Sequence, residues 1–236
     1  MSGQGKTGEI WNQPPRSRGQ IVRRVCERLE NEYGRPRHGN PDSPVDDLIY
    51  ILLSNRTTPV LARAAYQNLK DEFPDWRSLL EADWDSAYVL VKRAGFGEKR
   101  TNQIRGCLKR LVEDFGGIEN IDLWDRDTED LLDYLTTLPG VSGKVARCIA
   151  MYTLDRDVLP VDVHVFRIAS RLGWVDRNEA RQCHKELEAL IPPHRYFAFH
   201  VDCIAHGRKR CFASNPDCNG CVIRRYCNFP SDDESE

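Results

Sequence analysis

Apolar positions recur at helical spacing along most of this 236-residue chain. Ile21, Val25 and Leu29 mark one helix, Leu48, Ile51, Leu52 and Leu53 a second, and Leu61, Ala65 and Leu69 a third. Ile104, Leu108, Leu111 and Val112 follow a basic glycine turn, and Leu131, Leu132 and Leu135 follow an Asp127/Thr128 cap. Further helical stretches are expected over 145–154, 165–172, 180–191 and 197–205. Proline and glycine punctuate the pattern at Pro59, Pro74, Gly95, Gly97, Gly116, Gly117, Pro139, Gly140, Pro160 and Pro192-Pro193. Sustained period-2 alternation and a fixed repeat are both missing, so the reading is all-α. Residues 1–18 are polar and expected to be disordered, and 231–236 form an acidic tail with nothing apolar to bury. The Gly5-Lys6-Thr7 run is not expected to be a phosphate loop, since no strand precedes it and the motif's first glycine has no place.

The net charge is −2, which taken alone argues against a nucleic acid partner. Its distribution changes that picture. Between Lys92 and Arg110 the chain carries Lys92, Arg93, Lys99, Arg100, Arg105, Lys109 and Arg110 against Glu98 alone, and 113–133 is acidic. A local basic surface is enough for phosphate contacts; the alternative is solvated helix faces of alternating sign. No apolar run approaches a membrane span or a signal peptide, so no membrane association is expected. Cys26, Cys107, Cys148, Cys183 and Cys203 are scattered, odd in number and set in apolar-periodic segments, which reads as small buried hydrophobes in a reducing, cytoplasmic setting (nucleoid-associated if the chain is bacterial).

The other four cysteines, Cys211, Cys218, Cys221 and Cys227, are spaced C-x6-C-x2-C-x5-C. Ligands close in sequence converge at low entropic cost, so this is a candidate metal centre. On spacing alone an iron–sulfur cluster and zinc fit equally, and two disulfides fit less well.

Leu138-Pro139-Gly140-Val141-Ser142-Gly143-Lys144 joins two expected helices through a short glycine turn. Exposed N–H groups of such a turn, together with the next helix's N-terminus, make an anion site, and Gly140 and Gly143 let a phosphate approach the backbone. An ordinary helical hairpin with a glycine C-cap reads the same way. Lys144 falls in the first turn of its helix, where the dipole disfavours a positive charge, and a neutral amine is what a Schiff-base nucleophile needs. After Pro160, Val161-Asp162-Val163-His164 opens another helix, with Asp162 suited to an N-cap and His164 to a packed core position.

With the hairpin LPGVSGK, the segment VDVHVFRI, the His206-Gly207-Arg208 run and the cysteine spacing in this order, the chain from about Asp46 to Cys227 resembles the helix-hairpin-helix DNA glycosylase superfamily, in its endonuclease III branch. That resemblance implies two helical domains with the active site in a cleft between them. Residues 41–159 would be the helical barrel with the hairpin, and 19–40 with 160–230 the cluster domain. It implies a 4Fe-4S cluster on the four cysteines, Lys144 as nucleophile and Asp162 as the essential carboxylate. The implied activity is that of a monomeric, bifunctional glycosylase and AP lyase. It would act on double-stranded DNA containing damaged bases or abasic sites, with oxidised pyrimidines as the expected substrate. The resemblance also implies that the hairpin residues Gly140, Ser142, Gly143 and Lys144 meet DNA. Arg56, in Ser54-Asn55-Arg56-Thr57-Thr58, falls where the family places a wedge that fills the gap of a flipped nucleotide, a position usually held by glutamine. Phe96 matches an apolar wedge on the other side of the gap. Ser142 also departs from the family pattern, which has glycine there. A helix-end arginine and a loop-anchoring phenylalanine are the plainer readings of the two wedge positions. Arg208, Lys209, Arg210, Arg224 and Arg225 suggest that the cluster loop touches the DNA backbone. An 8-oxoguanine or mismatch glycosylase, and a catalytically weak lesion-binding protein, are the alternatives.

Overall fold

A computed structural model describes residues 17–176 and 183–229. The expectations for residues 1–16, the 231–236 tail and the first turn of the 180–191 helix lie outside these residues. Among the described residues the helices, in chain order, are α1 (Arg18–Tyr33), α2 (Pro44–Ser54), α3 (Pro59–Glu72), α4 (Trp76–Glu81), α5 (Trp84–Val91), α6 (Gly97–Phe115), α7 (Thr128–Thr137), α8 (Gly143–Tyr152), α9 (Val163–Arg171), α10 (Cys183–Leu190) and α11 (Tyr196–Lys209), with no strand. The all-α reading holds. None of these helices is long and apolar enough to cross a membrane.

Residues 38–160 form one compact unit, built on α2. Pro44 opens this helix, and the run Leu48 to Leu53 is buried at every position because α3, α6 and α8 all pack against it. A helix apolar all round belongs in a core, and truncating one of its leucines costs about 2–5 kcal/mol. Around it, α6 turns Ile104, Cys107, Leu108 and Leu111 inward. On α3 the buried positions are Ala62, Ala65 and Leu69, while Leu61 is 43% exposed. At 100° per residue, Leu61 stands about 80° from Leu69 whereas Ala62 stands about 20° from it, so steps of four drift off the face. The short helices α4 and α5 gave no periodic signal. α4 is set by Asp75, whose carboxylate accepts from the Ser78 amide at 2.8 Å.

The described residues up to Arg37 and from Val161 onward form the second unit. A capping box starts α1, where Ser17 and Gln20 satisfy each other's backbone N–H groups. Val22, Val25, Cys26 and Leu29 are buried where α1 packs on α11, and α11 packs in turn on α9. This central helix carries polar groups inside: His200, Asp202 and His206 are all essentially unexposed. The Arg35 amide donates to Asp202 at 3.2 Å. After α11 the chain runs to residue 229 without another α-helix, and this loop holds the four clustered cysteines. The five scattered cysteines are all buried, as their apolar settings imply.

Candidate active site and cysteine centre

In the 38–160 unit, the turn between α7 and α8 is shaped by four contacts. Val141 N–H closes it on Leu138 C=O at 3.1 Å. Gly140 has φ 80°, and a Cβ there would run into the Gln103 side-chain amide. From α6, Gly106 meets Pro139, which would stand 3.1 Å from a Cβ, and the Cys107 thiol donates to Pro139 C=O at 3.2 Å. A mid-helix glycine costs about 1 kcal/mol, and here it admits the proline of the hairpin. Ser142 has φ −85° and ψ 165°, and its hydroxyl accepts from the Val145 amide at 3.4 Å. This is N-cap geometry that any L-residue adopts, so serine is accommodated there without backbone strain. Lys144 follows at the second helical position of α8, half-buried.

Asp47 on α2 is fully buried and was not singled out by sequence reasoning. Its Oδ1 accepts from the Asn40 amide at 2.6 Å, and Oδ2 has no hydrogen-bond partner. Burial pushes its pKa up to about 7; the Asn40 bond and the charge of Lys144 oppose that rise. The carboxyl is thus within electrostatic reach of Lys144.

Both wedge candidates are exposed, with Phe96 at 60%, and both are non-glycine residues in the left-handed region: Arg56 at φ 58° and Phe96 at φ 50°. Such backbone costs on the order of 1–3 kcal/mol and persists only where neighbours impose it. The neighbour is Arg100. Its buried guanidinium donates to Asn55 C=O and to Ala94 C=O, one carbonyl in each loop, and lies 5.6 Å from the Phe96 ring centroid. Arg100 therefore does not belong to the basic surface expected over 92–110. Neither does Arg105, whose fork is spent on the carbonyls of Leu79, Leu80 and Ala82. Arg110 pairs with Asp114 and Lys109 with Glu113 along α6. Lys92, Arg93 and Lys99 are exposed and outside these ion pairs, and they flank Phe96 in sequence.

In the other unit, Asp162 is the N-cap of α9, its Oδ1 accepting from the His164 and Val165 amides, both at 2.8 Å. His164 is half-buried, with Nδ1 3.0 Å from Arg167. α9 then reaches the cysteine loop through two arginines. Arg167 Nε donates to Cys211 C=O at 2.9 Å, and Arg171 donates to the Cys211 sulfur at 3.0 Å. His206, on α11, lies 3.5 Å by Nε2 from the Cys221 sulfur, while its Nδ1 lies 2.8 Å from the Tyr33 hydroxyl. Burial holds His206 down at about 4, so the ring is neutral at physiological pH. If the tyrosine donates, the Nε2 proton faces the sulfur.

The four cysteines are half-buried, and burial together with the charges of Cys211, Cys227 and Cys218 pushes Cys221 up to about 11. Mutually repelling thiols of this kind ionise together only around a bound cation. Among the described residues no three His, Cys, Asp or Glu side chains converge closely enough to hold a single ion. Four thiolate donors on one loop fit an iron–sulfur cluster by ligand type and number, as they also fit zinc. Around them Arg208, Lys209 and Arg225 are exposed, whereas Arg210 is paired with Asp217 and Arg224 donates to Cys227 C=O.

Residues 49–193 match the family model of the HhH-GPD superfamily base excision DNA repair proteins. The chain is 29% identical over 194 residues to endonuclease III of Thermotoga maritima, covering 82% of this chain and 87% of that protein. It is 30% identical over 171 residues to the DNA glycosylase/AP lyase ROS1 of Arabidopsis thaliana, covering 65% of this chain and 12% of that much longer protein. Among solved structures, a non-covalent endonuclease III–DNA complex superposes with a TM-score of 0.76 at 22% identity, covering 90% of this chain and 96% of that one. The fold and the hairpin define a helix-hairpin-helix repair protein. The chain belongs to the HhH-GPD superfamily of base excision DNA repair proteins, and within it is an endonuclease III-like DNA glycosylase.

Proposed function

We propose that the chain is a monomeric, bifunctional DNA glycosylase and AP lyase that removes a damaged base, an oxidised pyrimidine, from double-stranded DNA and nicks the strand. The observation that carries this reading is the placement of Lys144 in the first turn of α8, directly behind a braced glycine hairpin and a serine cap. The hairpin's amides and the α8 N-terminus receive a backbone phosphate, which brings the adjoining sugar to Lys144. The damaged nucleotide is flipped from the duplex, at a cost lowest for an already weakened pair. Phe96 and Arg56 fill the gap it leaves.

Under this reading the Lys144 amine attacks C1′, and the glycosidic electron pair leaves with the base as it is protonated. The bond from nitrogen to C1′ becomes an imine as the sugar ring opens. Loss of a C2′ proton then expels the 3′ phosphate. Both amide bonds to Asp162 fall on Oδ1, so Oδ2 is the oxygen assigned to the developing positive charge on the sugar. The four cysteines would hold a 4Fe-4S cluster, which when bound supplies a cross-link between four thiolates and an electron-transfer centre.

Borohydride trapping tests the chemistry. Duplexes carrying thymine glycol, 8-oxoguanine, a G·T mismatch or an abasic site should give a covalent adduct with the wild type, fastest on thymine glycol or the abasic site. Lys144→Gln should give none. An adduct with that variant would assign the imine to another amine, and no adduct on any duplex with binding retained would leave a lesion-binding protein.

A further inference from the structure

Arg171 closes α9 with a side chain that is only 6% exposed. A buried guanidinium ordinarily has a carboxylate beside it, because an unpaired buried charge is strongly unfavourable. Among the described residues no carboxylate lies within ion-pair distance of this one. Its bonds go instead to the cysteine loop: Nη1 to the Cys211 sulfur at 3.0 Å and to Phe212 C=O at 2.8 Å, and Nη2 to Ala213 C=O at 3.1 Å. Its Cζ lies over the Phe229 ring, 4.0 Å from the centroid. Its own carbonyl accepts from the Asn228 amide at 2.8 Å and faces the Cys227 sulfur at 3.5 Å. One residue therefore touches both ends of the cysteine loop, and Cys211 is the one group among the guanidinium's partners able to carry negative charge.

We propose that Arg171 is the counter-ion of the four-cysteine centre and a positioning residue that donates an N–H···S bond to the Cys211 thiolate. This rests on the cluster reading above. Four thiolates around a four-iron core carry net negative charge, which balances the otherwise uncompensated guanidinium. In the other direction, a cation and a hydrogen bond at the sulfur stabilise the electron-richer state of the cluster and slow loss of the thiolate from iron. Phe229 holds the guanidinium planar over its ring and so fixes the direction of the donated bond.

The test compares full-length wild type, Arg171→Lys and Phe229→Leu, purified anaerobically. Lysine keeps the charge but not the fork, and leucine loosens the stack while leaving the arginine. Iron and sulfide content, the rate of bleaching near ~400 nm under an iron chelator, and the midpoint potential by spectroelectrochemistry are the readouts. Arg171→Lys should bleach about 10–100-fold faster than wild type and show a more negative potential, with Phe229→Leu shifted the same way by less. Should the lysine variant fail to fold, Phe229→Leu alone decides. A brown wild type whose variants bleach at the wild-type rate and potential would overturn the role of Arg171 and leave the cluster reading standing. A colourless wild type holding zinc would overturn the cluster reading and the proposal with it.

Discussion

A single buried carboxyl, Asp47, sets a pH-dependent cost on the core helix α2. The free carboxyl titrates at 3.8, and burial raises the folded one to about 7. Between those values the folded state binds more protons than the unfolded state, so the contribution of this group to stability falls as pH rises from about 4 to 7. Two titratable side chains on packed helices share this electrostatic environment, Tyr66 on α3 and Lys144 on α8. Asp47→Asn preserves the shape and cannot ionise. Its stability should match the wild type near pH 4 and exceed it near pH 8, by on the order of a few kcal/mol. Urea unfolding of both proteins across this range reads the difference, and a gap that stays constant would mean the carboxyl is not held neutral. Arg100 is the other residue whose work is visible only in three dimensions. If its fork sets both wedge loops, Phe96→Ala should weaken binding to a lesion duplex by about 1–3 kcal/mol. Arg100→Lys should do so comparably, with little change in binding to undamaged DNA. Equal loss on both duplexes would reduce these positions to packing.

At the scale of elements, the hairpin between α7 and α8 was legible because its turn residues and its cap are local in sequence. Lys144, Ser142 and Gly140 stand where a helix–turn–helix reading puts them, and Asp162 caps α9 as its position before an apolar run implies. The helices of the core were legible from periodicity, with Leu61 misplaced because two registers differ by one residue over two turns. The brace from α6 was not legible. Gln103, Gly106 and Cys107 lie more than thirty residues from the turn, and a lone glycine inside a helix announces a close approach without naming what approaches. Nor could a run of seven bases reveal that Arg100 and Arg105 turn inward to carbonyls, since charge says nothing about direction. The brace has a measurable consequence. Gly140→Ala should destabilise the protein by roughly 1–3 kcal/mol, combining left-handed strain with the clash against Gln103. Adding Gln103→Ala should recover the steric part and not the strain. Full recovery would mean that φ 80° costs nothing there, and no recovery that Gln103 already moves aside.

The whole molecule carries 34 basic and 36 acidic side chains, so its net field repels DNA weakly if it acts at all. Binding must come from local bases, and half of the candidate bases near Phe96 and the cysteines are already engaged within the fold. Lys92, Arg93 and Lys99 beside Phe96 are exposed, as are Arg208, Lys209 and Arg225 near the cysteines. Each phosphate that such a group neutralises releases condensed counterions and contributes about −0.9 to the slope of log K against log salt. The slope therefore counts contacts independently of overall charge. Replacing Lys92, Arg93 and Lys99 by glutamine should flatten it by as much as about 2.7, weakening lesion and undamaged duplexes together and leaving their ratio in place. Arg105→Gln, by contrast, should lower thermal stability and leave the slope alone, because its guanidinium already serves three carbonyls. Fluorescence anisotropy from low to moderate salt measures both. A triple variant with the wild-type slope would place the phosphates elsewhere, and a changed lesion-to-undamaged ratio would mean that these bases read the flipped state rather than the backbone.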